Sequence, residues 1–442
     1  MTSPSLQYAY RVGGSLAWND PTYVERQADI DLAYALQTGQ FCYVLGPQQT
    51  GKSSLRVRTG YCLAQRGYRC AMVNATQLSD SPNAIQQWYA GLISSIWYGL
   101  NPTDSSVFLN WFKTTAALPP RQRLACFAKD ILLTQFPGQP IVIFMDEIDY
   151  LLSLPYTAND FFEWIWDCYC LRQAFSAYRR LNFAILGTCT PIDLGRTTPL
   201  LSRGRAIKLD SFQLIDTRSL SQGFEDKVDN PTLILKTILK WTNGQPFLTQ
   251  KLCQTVLRRT AALIGPDQPP LSLSPGIMES WIEGVTRSHI IQDWRRQDDP
   301  VHLRVISDRL TGHPLAPQLL SHYQQILVGQ PTVFDGSRTQ LELLLSGVVL
   351  IQHNHLQIAN EIYRSVFNIN WIRDCFKLAA MDDSLAQTGL KPQTSAEVHE
   401  PEDPAAQSIL ALTVLEKPAF LRLVTWWQSL RRKACCKKLS GA

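Results

Sequence analysis

One run of eight residues carries the clearest chemistry in the chain. Gly46-Pro47-Gln48-Gln49-Thr50-Gly51-Lys52-Ser53 fits the spacing G-x-x-x-x-G-K-[ST]. Glycines at its ends let backbone N–H groups turn inward around an anion, and a helix starting near Gly51 adds its positive dipole end. Lys52 can then reach β- and γ-phosphates, and the Ser53 hydroxyl can bind Mg2+. The other reading, a glycine turn that binds nothing, is disfavoured by the strand and helix predicted on either side.

Such a cradle needs an acidic partner at the tip of a buried strand. The apolar run Ile141 to Met145 ends in Asp146-Glu147. Asp146 suits holding Mg2+ through water, and Glu147 suits polarising the water that attacks a γ-phosphate. A bare Asp-Glu pair is usually a solvated loop, but five apolar residues before it favour catalysis. Asp149 is expected to cap the helix that follows. A third strand, Phe183 to Leu186, leads into Gly187-Thr188-Cys189-Thr190, so Thr188 or Thr190 could sense the terminal phosphate or the water. All seven histidines lie at or after His289, so imidazole is excluded from the chemistry of the first 288 residues.

Positioning these groups requires strands that end along one edge. Hydrophobic period and Gly/Pro breaks predict helices over 28–36, 53–66, 84–98, 122–135 and 160–178, with strands over 41–45, 68–73, 141–145 and 183–186. Apolar strands spaced by helices mean βαβ units and a parallel sheet buried on both faces. After about residue 210 the pattern becomes helical, with helices over 232–241 and 246–263. A hairpin over 348–352 and 355–359, turning at Asn354, suggests a winged helix. The expected division is an α/β core at 1–210, an all-α lid at 211–270, a winged-helix-like module at 271–379, a Pro/Glu/Ser-rich linker at 380–410, and a basic tail helix at 411–442.

Forty-two Lys plus Arg against 37 Asp plus Glu leave a formal charge of +5, too mild to argue for nucleic-acid binding by itself. No apolar run approaches the ~18 residues that span a bilayer. No signal peptide is visible, and the eleven cysteines show no disulfide or zinc spacing, so a reducing cytoplasm is expected.

These residues together resemble the AAA-like ATPase domain of cyanobacterial signalling proteins, a STAND-type P-loop group of ASCE type akin to origin-recognition ATPases. The resemblance rests on Tyr23 to Asp29, the loop and its continuation Ser54 to Thr59, Gln87 to Leu92, Phe144 to Asp149, Thr190 to Leu194, Gly244 to Cys253, Leu345 to Gly347 and Ile362 to Asn368. It implies an ATP- and Mg2+-dependent switch, open and assembling with ATP and closed with ADP. It places Tyr23 and Arg26 beside the adenine, counts Ser54 among the nucleotide contacts, and makes Gly244-Gln245-Pro246 the G-x-P element that joins the nucleotide site to the lid. Pro246 is also simply a good helix-start residue. The family segment Thr-Pro-Phe-Asn-Ile-Gly-Arg is altered here to Thr198-Pro199-Leu200-Leu201-Ser202-Arg203-Gly204-Arg205. Arg205 matches the family arginine, and it could stabilise transition-state charge in cis or from a neighbouring subunit, or be a surface or structural ion-pair residue.

Two other readings compete with the switch. A DNA-binding initiator is disfavoured because Arg338, Arg364, Arg373 and Lys377 are offset by Asp335, Glu342, Glu361 and Asp374. A scaffold that binds nucleotide without turning it over differs only in the role of Glu147. The tail helix places Phe420, Leu423, Val424, Trp427 and Leu430 on one face among basic residues, which suits a membrane surface, a partner groove or internal packing. Output is expected through a protein partner or ATP-dependent self-association.

Overall fold

The computed structural model describes residues 8–78, 85–154, 159–194, 199–264 and 269–388. Five parallel strands form a sheet in the order β2-β3-β4-β1-β5, with β1 at Cys42–Leu45, β2 at Arg69–Asn74, β3 at Ile141–Asp146, β4 at Leu181–Gly187 and β5 at Arg205–Ala206. Every residue of β3 and β4 is buried, which is why Ile141 to Met145 and Phe183 to Leu186 read as unbroken apolar runs. Register decides which ends of the strands meet. Leu45 lies opposite Gly187, Asn74 opposite Asp146, and Met145 opposite Ile185. The chain therefore leaves β1, β3 and β4 along one edge, where open α/β sheets present their binding groups.

Strand side chains alternate between two cores. Val142 and Phe144 pack with Leu32, Leu36, Leu55 and Leu63 of the helices Gln27–Gln37 and Lys52–Gln65. Ile141, Ile143 and Met145 face the opposite way, toward Trp88 and Trp97 of the helix Ile85–Gly99 and Trp164 of the helix Asn159–Cys170. Each large side chain fully buried there contributes about 1.5–3 kcal/mol.

Beyond the sheet the chain is helical, including Pro231–Thr242, Pro246–Leu263, Pro275–Thr286, Leu303–Thr311, Ala316–Leu327 and Arg338–Ser346. An antiparallel hairpin comes next, β6 at Val349–Gln352 and β7 at His355–Ile358, then helices Glu361–Val366 and Ile369–Thr388. Leu235, Leu252, Met278, Leu310 and Tyr363 belong to one buried cluster, which therefore crosses the boundary expected at residue 270. The cluster also takes in Tyr10 and Val24 from the N-terminal segment. Gln250 Nε2 donates to Thr22 O at 2.9 Å and Gln254 Nε2 to Tyr10 O at 2.8 Å.

Several expectations shift. The helix expected over 160–178 stops at Cys170, and a short 3-10 turn, Ser176–Arg180, leads into β4. Strand β5 and the helix Ser106–Thr114 were not foreseen, the first because two residues carry no readable period. The last helix runs to Thr388, past the linker start expected at 380. The rest of that linker and the tail at 411–442 lie outside the described residues. Nine cysteines among the described residues are free thiols. Among these residues no helix is long and apolar enough to cross a membrane.

Candidate functional site

The loop between β1 and the helix Lys52–Gln65 turns on Gly51, the N-cap residue, which is left-handed at φ 92°. The conformation requires glycine, and a Cβ there would also crowd Arg26 Nη2 at 2.8 Å. Thr50 Oγ1 donates to Pro47 O at 3.0 Å and stiffens the turn. Lys52 lies beneath it, buried, donating to Gly46 O at 2.8 Å, Pro47 O at 2.6 Å and Thr188 Oγ1 at 3.3 Å. Three acceptors match the three protons of an ammonium group. Burial pushes the Lys52 pKa down to about 8, against the opposing pull of Asp149 and Asp146.

Asp146 closes β3 with its side chain buried. Arg56, one turn beyond Lys52 on the loop helix, places Nε 3.1 Å from Asp146 Oδ2. The Glu147 amide donates to Asp146 Oδ1 at 3.0 Å. Glu147 adopts φ 55°, an unusual conformation for a non-glycine residue, and exposes its carboxylate. Thr76, just after β2, shares its one hydroxyl proton between Asn74 Oδ1 at 2.8 Å and Glu147 Oε2 at 3.1 Å.

Asp149 does not cap a helix. Its Oδ1 accepts from the Thr188 amide at 2.7 Å, tying the turn after β3 to the end of β4, because parallel pairing brings those two ends together. The structure also separates the two threonines. Thr188 is buried against Lys52, whereas Thr190 is occupied with Asp193: its amide and hydroxyl donate to Asp193 Oδ2 at 2.8 and 2.7 Å. Arg205 is not beside the loop. It lies exposed opposite Cys42, at the start of β1, while the loop leaves the other end of that strand. Arg203 instead covers the Trp166 ring at 5.2 Å.

Tyr23, Arg26, Gly51, Ser54 and Pro246 line one small cavity of about 80 Å³ beside the start of the loop helix. Arg26 Nη1 donates to Thr50 O at 2.9 Å and Asp210 O at 3.2 Å, so it braces the loop; burial lowers its pKa. Tyr23 is tied back to Asp29 Oδ1 at 2.6 Å, and Ser54 Oγ accepts from the Leu16 amide at 3.0 Å. Pro246 starts the helix Pro246–Leu263, and Gln245 Oε1 accepts from the Leu248 amide at 2.6 Å. Gly244 is left-handed at φ 69°, and a Cβ there would lie 2.0 Å from Phe212 O. Pro246 is thus the helix-start residue expected of it, and it also lines the small cavity.

A larger cleft of about 1010 Å³ runs along the other side of the loop, between Pro47, Gln48, Gln49 and Thr50 and the helical region that supplies His302, Arg309 and Tyr363. Gln49 bridges it. Its Nε2 donates to Val301 O at 3.0 Å, which turns Oε1 toward His302 Nδ1. His302 Nε2 therefore accepts from Tyr363 Oη at 2.8 Å, and the ring stacks on Phe247 with centroids 4.5 Å apart. Burial pushes the His302 pKa down to about 3, so the ring is neutral. Gln245 Nε2 adds a bond to Gln49 O at 3.2 Å. A histidine about 250 residues away in sequence thus touches the loop as a neutral, buried ring, a contact that sequence reading did not foresee. Arg56 and Gln245 lay within matched segments but were given no role of their own, and Arg309, which carries no local motif, was missed.

Mg2+ is implied by this arrangement. Ser53 and Asp146 supply a hydroxyl and a carboxylate, the hard oxygen donors that Mg2+ takes, and phosphates would complete the shell. Among the described residues no group of three or more His, Cys, Asp or Glu could hold a metal by itself. That sparse donor set fits an ion brought in with a nucleotide.

The sequence profile of the AAA-like domain matches residues 12–264. An uncharacterised WD repeat-containing protein of Synechocystis sp. is 39% identical over 366 residues, covering 82% of this chain, which spans 30% of that relative's length. Among solved structures, a Walker-type ATPase of Pyrococcus abyssi is 14% identical with a TM-score of 0.47, covering 81% of this chain and 99% of that one. The ORC2 protein of Aeropyrum pernix, in its ADPNP–ADP complexes, is 16% identical with a TM-score of 0.41, covering 80% of this chain and 93% of that one.

Proposed function

The chain belongs to the AAA-like domain family, with the α/β architecture of a P-loop NTPase, and from that premise we propose that it is an ATP-binding, slowly hydrolysing switch in signal transduction or complex assembly. The observation that carries the switch reading is the bridge across the cleft. Gln49, within the phosphate loop, is hydrogen-bonded to Val301, His302 and Gln245 of the helical region. A ligand that reshapes this loop must also act on those bonds, so its occupancy is coupled to the packing of the helices.

In this reading the loop amides and Lys52 bind the phosphates. Tyr23, Arg26 and Pro246 line the adenine side. Ser53 and Asp146 would hold Mg2+, which would supply charge neutralisation for the phosphates. Glu147 takes a proton from the attacking water, with Thr76 fixing its orientation, and Thr188 faces the terminal phosphate from the end of β4. Arg205 can serve only a neighbouring copy, given its end of the sheet.

The helix Arg338–Ser346 and the β6-β7 hairpin support a winged-helix reading, but one turned inward. Arg338 pairs with Asp193 and Glu342, Arg364 with Glu361, and Lys377 with Asp374. Cations already paired contribute little to phosphate neutralisation, which favours a protein partner or self-association over DNA. The basic tail leaves peripheral membrane contact as a further proposal.

The test is hydrodynamic. Sedimentation velocity with a non-hydrolysable ATP analogue against ADP should give different sizes or shapes, and Lys52→Ala should abolish the difference. Identical behaviour with both nucleotides, each bound, would reject the switch and leave a scaffold.

A further inference from the structure

Lys52 and Arg56 stand four residues apart on the helix Lys52–Gln65, so they share the face that meets the end of β3. Their charges are used differently. The Lys52 ammonium is spent on Gly46 O, Pro47 O and Thr188 Oγ1, and it reaches Asp146 only through its field. Arg56 touches the carboxylate itself, with Nε 3.1 Å from Oδ2, while Oδ1 accepts from the Glu147 amide. Both oxygens of Asp146 are therefore engaged within the chain. Arg56 Nε is buried and makes no aligned hydrogen bond, so what holds it there is charge attraction alone.

We propose that Arg56 is a positioning residue that competes with Mg2+ for Asp146, and so sets how strongly nucleotide binding depends on the metal. This rests on the reading of Ser53 and Asp146 as the metal side of the phosphate loop and deepens it. The carboxylate suited to hold a dication is the one that already carries a guanidinium. Two cations brought to one buried carboxylate repel each other with little screening, so each weakens the hold of the other. A bare ion meets that repulsion in full. An ion that arrives with phosphates brings negative charge that offsets it, which agrees with the sparse protein donor set.

Arg56 is free to give way. Among the described residues Asp146 is its one ion-pair partner, and its side chain, 15% exposed, has a path to water. Asp146 would not be stranded by the exchange, because the Glu147 amide, the nearby Lys52 charge and the incoming dication all compensate it. The opposite role, in which Arg56 only orients Asp146 for the metal, predicts the opposite sign on removal.

Titrating the full chain with fluorescent ADP, once in EDTA and once in saturating Mg2+, gives the enhancement of affinity by the metal. Arg56→Gln should raise that enhancement about tenfold, as expected for removing one close and poorly screened like charge. Arg56→Lys, which keeps the charge, should stay near the parent value. Arg56→Met, neutral and of similar reach, repeats the test should the glutamine variant fail to fold. Asp146→Asn should lose the enhancement with or without Arg56. A smaller enhancement in the neutral variants overturns the proposal in favour of a supporting role, and an unchanged one overturns it outright. A parent that binds no ADP, or binds it regardless of Mg2+, overturns instead the reading beneath.

Discussion

His302 donates its Nδ1 proton to Oε1 of Gln49, so a buried ring in the helical region holds the side chain of a phosphate-loop residue. Gln49 fixes the direction of that bond by spending Nε2 on Val301 O, and Tyr363 fixes the other ring nitrogen as the acceptor. The loop is therefore held from two sides, by Arg26 on Thr50 O and by His302 on Gln49.

Gln49→Ala should release this clasp. It leaves a buried imidazole N–H unpaired, which costs about 1–3 kcal/mol. Fluorescent ADP should dissociate several-fold faster from the variant in stopped flow, and the helical region should be cut sooner by protease. An unchanged dissociation rate would mean that the bridge does not restrain the loop.

Acid should weaken the fold through His302. The unfolded ring titrates near 6.5 and the folded one near 3, so between those values the unfolded chain holds the extra proton. Stability from this residue is complete above about pH 6.5 and falls as pH drops, by up to about 1.4 kcal/mol per unit. Urea midpoints of the parent at pH 7, 6 and 5 should show this slope, and His302→Gln should flatten it. Parallel profiles would remove His302 as the cause.

Nucleotide binding should take up a proton in alkali. Burial holds Lys52 near 8 in the free protein, and phosphates would stabilise its charged form, raising that value on binding. Affinity should fall as pH rises above about 8. Calorimetry at pH 8.5–9 in buffers of different ionisation heat should register the uptake, and binding heats independent of the buffer would contradict it.

Glu147→Gln should keep ATP binding and lower phosphate release by about 10²–10⁴-fold. Thr76→Ala should lower it less, because it removes only a hydroxyl that Glu147 Oε2 shares with Asn74 Oδ1. If Glu147→Gln releases phosphate like the parent, any turnover does not depend on Glu147.

The phosphate loop and the central strands were legible from the chain alone, and the reason is locality. A phosphate cradle is contiguous, because successive amides must converge on one anion, so residues 46–53 declare themselves. A strand buried on both faces must be apolar throughout, which exposed β3 and its acidic end. Arg205 matched a motif, yet only parallel pairing with Cys42 showed that it lies at the end of β1 away from the loop. Thr188 and Thr190 are equivalent in sequence, and only packing gave one to Lys52 and the other to Asp193. His302, Arg309 and Arg56 act on groups set by tertiary neighbours, and no periodicity marks such a pairing. Short-range steric and solvation rules wrote the cradle and the strands into consecutive residues; the clasp and the pairing of Arg56 with Asp146 exist only because folding brings together residues far apart in sequence.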